Sequence, residues 1–149
     1  MSTMSSPRRR SSELSKHSAD VFAEAEQRQV VITRRDGDDM VLMSEREADA
    51  RAQLLQLAAD LITVALDEDG TLASRTTRKF EWMLALPEAD RTQCAQDLVN
   101  AARASFSTGQ PHLAVAELTS WRETATAIAA GLADKPVEWF DENQPAEQR

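Results

Sequence analysis

The 149-residue chain has one cysteine, two histidines, four glycines and no tyrosine, and these scarcities remove whole classes of function. Cys94 cannot close a disulfide within the chain, so the sequence reads as that of a reduced, cytoplasmic protein. With only His17 and His112, and no HExxH, CxxC, GxSxG or P-loop spacing, metal-assisted and nucleophilic chemistries lack their usual carriers. Four scattered glycines argue against a phosphate-cradling loop. The acidic pair Asp38-Asp39 and the run Asp67-Glu68-Asp69 read as a solvated turn and a helix end in preference to cation sites. No enzymatic activity, cofactor or metal is therefore expected. No apolar run approaches the roughly 20 residues that span a bilayer. Arg8-Arg9-Arg10 is not followed by the apolar stretch of a signal peptide, so no membrane association is expected either.

What is present is alanine, leucine and an uneven distribution of charge. Alanine outweighs the larger aliphatic residues, which suits long helices packed closely. The formal net charge is −8, yet residues 1–35 carry seven basic and four acidic side chains, while residues 36–149 carry ten and 21. A cationic head on an anionic body points to two partners of opposite sign, a polyanion for the first and a basic surface for the second.

Periodicity divides the chain further. Residues 1–10 are polar and read as a flexible basic arm. A helix is expected from Ser11 or Ser12 to about Gln27, with Leu14, Val21, Phe22 and Ala25 on one face. Val30-Val31-Ile32 and Val41-Leu42-Met43 flank Asp36-Gly37, the signature of a tight hairpin over about 29–43. Ser44 is a good N-cap for a helix to Leu66, with Glu45 and Glu47 in its first turn. Leu54, Leu57, Leu61 and Val64 form its apolar stripe, and Leu55, Ala58 and Ile62 add a second one beside it. Asp67-Glu68-Asp69-Gly70 marks a boundary. Three helices are expected beyond it: Leu72 to Leu86, stopped by Pro87; Glu88 to about Ser107, ending at Gly109; and 112–132.

In the last of these, Leu118, Trp121, Ala125, Ile128 and Leu132 are spaced three, four, three and four, a seam that can pack on the neighbouring helix or on a partner. After Asp134 the periodicity ends. Trp139 and Phe140 in that tail would be wet unless covered, and so read as anchors for a partner or for docking on the body.

The run "LSKHSADVFAEAEQRQVVITRRDGDDMVLM", residues 14–43, followed by the helix start "SEREADAR", resembles the N-terminal domain of the Phd/YefM (prevent-host-death) family of type II antitoxins. Val21 and Phe22 match the apolar pair of that family's first helix. Val31, Ile32, Thr33, Arg34, Arg35 and Gly37 match its strand and turn, and Val41, Leu42 and Ser44 its returning strand and cap. The resemblance covers about residues 5–66. It departs from the family's pattern in having Asp36 before Gly37, no proline after the turn, and Lys16 where arginine is common.

The resemblance implies an α+β fold, with a small Phd/YefM-like dimerisation and DNA-binding domain over 11–66. An all-helical toxin-binding region over 70–133 and an extended tail over 134–149 would follow. It implies a homodimer whose two N-terminal domains share a sheet and face an operator. Arg8, Arg9, Arg10, Lys16, Arg34 and Arg35 are the candidate DNA contacts, with phosphate contact expected more than base reading. Arg34 and Arg35, placed on a strand, would alternate, one reaching the groove and the other pairing internally. The partner implied for the acidic half is a cognate toxin, a PIN-domain ribonuclease in preference to a RelE-like one. Leu118, Trp121, Ile128, Trp139 and Phe140 are its candidate contacts, and Arg122 is a candidate for insertion into an acidic active site. Two other classes fit the same residues: a stand-alone transcriptional repressor without a toxin, and a structural protein-interaction module.

Overall fold

The computed structural model describes residues 5–132 and shows a mixed α+β chain, a small three-stranded sheet followed by helices. The described elements are β1 (Arg8–Arg10), α1 (Glu13–Lys16), α2 (Ser18–Gln27), β2 (Val30–Thr33), β3 (Met40–Leu42), α3 (Glu45–Leu66), α4 (Leu72–Lys79), a 3-10 turn over Glu81–Ala85, α5 (Glu88–Thr108) and α6 (His112–Ala129). The C-terminal tail, with Trp139 and Phe140, lies outside the described residues.

The sheet order is β1-β2-β3. β1 runs parallel to β2, with Arg8, Arg9 and Arg10 opposite Val31, Ile32 and Thr33. β3 runs antiparallel, with Leu42, Val41 and Met40 opposite Val30, Val31 and Ile32. Side chains alternate along a strand, so each face holds every second residue. Val30 and Ile32 on one face pack with Val21 and Ala25 of α2, and Leu14 and Leu42 close the edges of this cluster. Among the described residues, helices cover that face alone. The expected single helix from Ser11 to Gln27 is broken at His17, whose backbone (φ −135°, ψ 43°) leaves the helical region. Within α2 the inward side is that of Val21 and Ala25, and Phe22 is exposed where an apolar face was expected.

Residues 8–10, expected to be part of a flexible arm, are a strand. Propensity does not explain it; pairing does. Val31 N–H donates to Pro7 O at 2.9 Å, Ser11 N–H to Thr33 O at 3.0 Å and Thr33 Oγ1 to Arg9 O at 3.2 Å, so β2 recruits the segment along its whole length. The hairpin itself is looser than a two-residue turn. Six residues, 34–39, connect β2 to β3, and Gly37 occupies φ +109° at the bend.

α3 begins where Ser44 predicts: its Oγ accepts from Glu47 N–H at 3.1 Å. Its buried stripe, however, does not serve the sheet. Leu54 and Leu57 cluster with Ala102 of α5 and Ala114 of α6, with Leu61 and Phe80 beside them. The packing boundary therefore falls near Ser44, inside the expected 11–66 domain, because α3 turns its buried apolar face to the helices that follow it.

The main helical core joins Met83, Leu86, Cys94, Ala95, Leu98 and Ala125. Burial pushes the Cys94 thiol up to about 12, with Asp97 and Glu117 adding to the effect, so it is an inert filler. The helix expected to run from Leu72 to Leu86 stops at Lys79, and the 3-10 turn takes over. Arg91 of α5 holds that turn: Nε donates to Met83 O at 3.1 Å and Leu86 O at 2.9 Å, and Nη2 to Leu84 O at 2.9 Å. Gly109 (φ +67°) caps α5, and buried Ser105 Oγ accepts from Ala114 N–H at 3.0 Å to fix the corner into α6.

Candidate nucleic-acid interface

The uncovered face of the sheet is built by alternation. Arg8 and Arg10 stand on it with Val31, Thr33 and Val41, while Arg9 points to the helix side. The three consecutive arginines therefore have different fates. Arg9 is half-buried and doubly paired: Nε and Nη2 reach Glu24 Oε2 at 2.9 Å, and Nη1 reaches Glu13 Oε1 at 3.3 Å. The Glu24 hydrogen bond, then that of Glu13, raises the Arg9 guanidinium above its ordinary range. Glu13 is held below the carboxylate range chiefly by the Arg10 backbone N–H, with Arg9 adding to it. Arg9 thus ties β1 to both helices, and its donors are committed to carboxylates in place of a phosphate. Of the six candidate contacts it is the one the structure removes.

The other five are exposed. Arg8 pairs with Asp39 at 2.9 Å, with side-chain exposures of 63% and 43%, and such wet pairs contribute little and exchange readily for a phosphate. The Arg10 and Lys16 side chains make no ion pair among the described residues. Arg34 and Arg35 lie beyond the end of β2, in the 34–39 connection, so the expected strand alternation does not apply to them. Arg34 curls back over the bend, Nε donating to Asp38 O at 2.9 Å, and a Cβ at Gly37 would stand 2.7 Å from its Nη2. Arg35 projects without a protein partner among the described residues. Since Arg10 is in register with Thr33, it sits one strand away from the Arg34-Arg35 pair, about 5 Å between backbones. Arg8 and Arg10 thereby stand on one side of the sheet, and Arg34 and Arg35 are exposed in the connection at the end that Arg10 marks.

Chemically this is a surface of guanidinium forks, suited to phosphate oxygens. Among the described residues no three His, Cys, Asp or Glu side chains converge as a metal site needs. A polar cleft of about 580 Å³ opens between the sheet unit and the starts of α3 and α6. Arg28, Arg46 and Arg51 line it, cationic positions that sequence reasoning did not consider, but Glu47 at its wall already engages Arg51 at 3.1 Å and His112 at 3.3 Å.

Leu118, Trp121 and Ile128 are half-buried against the main helical core, and Trp121 Nε1 donates to Asp97 Oδ2 at 3.2 Å and Glu117 Oε1 at 3.1 Å. Of the two packings open to that seam, the structure shows the intramolecular one. Arg122 is exposed, as is Leu132 at the end of the series. Trp139 and Phe140 lie outside the described residues. Among the described residues no helix is long and apolar enough to cross a membrane.

No known family, curated protein or solved structure matches the chain.

Proposed function

We propose that the chain is an antitoxin of a type II toxin–antitoxin pair, which binds operator DNA through the sheet unit as a dimer and holds a toxin through its acidic C-terminal half. The observation that carries the reading is the sorting of the arginines. Arg9 is consumed by Glu13 and Glu24, whereas Arg10 and Arg35 have no side-chain partner among the described residues, Arg8 holds only a wet pair with Asp39, and Arg34 donates only to the Asp38 carbonyl. A purely structural use of these cations would pair them; a polyanion site leaves them available. The order of helix, two antiparallel strands and serine-capped helix supports the resemblance to the Phd/YefM domain. Lys16 and the arginines would contact phosphates, and dimer symmetry would double the cations facing a duplex, so that local counterion release supports binding although the acidic total doubles with them.

The toxin side rests on charge, with 21 acids against ten basic residues over 36–149, and on Arg122 with Trp139 and Phe140. A PIN-domain ribonuclease is the partner favoured by the resemblance to long antitoxins of this kind, and an acidic module suits a basic surface on an RNA-cleaving partner. Co-purification with the product of the adjacent open reading frame tests it, with capture expected from the intact chain and abolished in Trp139→Ala with Phe140→Ala. One observation favours a second reading, a repressor without a toxin: Leu118, Trp121 and Ile128 are already used in the core. A neighbour that neither binds nor kills cells when expressed alone would establish that reading in place of the first.

A further inference from the structure

α3 carries two apolar stripes, and the structure uses only one. The other, Ala48, Ala52, Leu55, Ala59, Ile62 and Leu66, is spaced four, three, four, three and four along the whole helix. All six residues are exposed, with Leu55 69%, Ile62 60% and Leu66 77% accessible. An unbroken heptad pattern of this length is the signature of a helix that packs along its axis against another helix. A surface helix needing only solubility would carry charge at these positions.

We infer that this seam is the contact between two copies of the chain, paired antiparallel about a twofold axis at the level of Leu57. The order of residue sizes selects the geometry. In that register Leu66 meets Ala48 of the second copy, Ile62 meets Ala52 and Leu55 meets Ala59, so every layer combines one long side chain with one alanine. A parallel pair would instead stack alanine on alanine at 48, 52 and 59, and crowd two long residues at 55, 62 and 66, leaving cavities at one end. The flanks agree as well. Asp49 faces Thr63, Arg51 faces Ala65, and Gln56 and Ala58 each meet their own counterparts, so no like charges meet beside the seam. The tail at 133–149 is a poorer occupant: its long apolar residues, Val137, Trp139 and Phe140, fall within four positions and cannot match six layers spread over about 27 Å of helix.

The seam stands whether or not the chain binds DNA, and it takes the place of the shared sheet that the resemblance implies for the dimer, because it holds the two sheet units at opposite ends; a further consequence rests on the DNA-binding reading. Antiparallel pairing sets the two Glu45 positions about 36 Å apart along the axis. Each is one residue from the cap that follows the hairpin, and one duplex turn is roughly 34–36 Å. The two arginine surfaces would then fall on successive turns of one operator.

Sedimentation analysis of the full chain is expected to give twice the chain mass. Leu55→Glu with Ile62→Glu, both at exposed positions, is expected to halve it while leaving the helical circular dichroism unchanged, whereas Val41→Lys on the open sheet face keeps the dimer. Orientation is read by oxidation: Ala48→Cys protein mixed with Leu66→Cys protein should form the mixed disulfide, with neither linking to itself, since Cys94 is buried. A monomeric wild type, whose seam would belong to the tail or to a foreign protein, overturns the inference. So does a dimer broken by Val41→Lys and not by the seam variant, or self-linking of Ala48→Cys. DNA binding is measured separately by gel shift, so its failure leaves the dimer result standing.

Discussion

Gly37 holds φ +109° at the bend between β2 and β3, a conformation that L side chains rarely adopt, and a Cβ there would stand 2.7 Å from the movable end of Arg34, at Nη2. Gly37→Ala must therefore strain the backbone and displace the arginine, and urea unfolding is expected to show a loss of about 1–3 kcal/mol; an unchanged midpoint would contradict that constraint. Asp67 gives a residue-level test of pH. Its carboxyl lies below the ordinary aspartate range, first through the Arg78 guanidinium at 2.6 Å and then through the Asp69 N–H at 3.0 Å. A carboxyl lowered by folding contributes stability that is present above its unfolded value and is lost as pH falls through the folded one. The melting temperature of Asp67→Asn should accordingly lie below that of the wild type at neutral pH, and the two should converge in acid. Parallel curves at every pH would refute the assignment. The three arginines of β1 make the same point about locality: identical in sequence, they differ in role because alternation sends the middle one toward Glu13 and Glu24.

The helices that begin at Ser44, at Glu88 and at His112 were legible because their signals are local. Ser44 caps α3 through Glu47 N–H, and Ser44→Ala should cost about 1 kcal/mol in thermal or chemical unfolding. Leu98, on the apolar side read for α5, is fully buried, and Leu98→Ala should cost about 2–5 kcal/mol. A cost below about 1 kcal/mol would show that the core closes over the gap. What escaped the sequence was whatever a distant segment decides. β1 is three arginines, and no propensity marks it; only the parallel edge of β2 makes it a strand. The stop at Lys79 depends on Arg91, farther along the chain, gathering the carbonyls of the 3-10 turn. The allegiance of α3 was equally hidden, since two apolar stripes on one helix do not say which faces its own chain. The seam at Leu118, Trp121 and Ile128 posed the same ambiguity and resolved inward, with Asp97 reaching the indole N–H.

At the scale of the whole molecule, the chain separates its charges by architecture. The first 35 residues place Arg8 and Arg10 on one face of the sheet and Arg34 and Arg35 in the connection at its end, and most of the acids follow in the helical body. That separation makes the two halves independently testable: changes in the tail should alter protein capture and leave DNA affinity alone, and changes at Arg34 and Arg35 should do the reverse. Arg9 provides the internal control. Arg9→Ala should lower thermal stability by removing the tie between β1 and its helices, whereas DNA affinity measured well below the melting point should change little.

The most direct measurement is the salt dependence of binding to the DNA upstream of the chain's own gene, followed by fluorescence anisotropy for the wild type and for Arg34→Ala with Arg35→Ala. Removing one cation from a phosphate lowers the slope of log K against log salt by about one. The expected result is a steep slope for the wild type and one shallower by about two per chain for the variant. Absence of binding by the wild type, or an identical slope in the two proteins, would contradict the assignment of this surface to a nucleic acid.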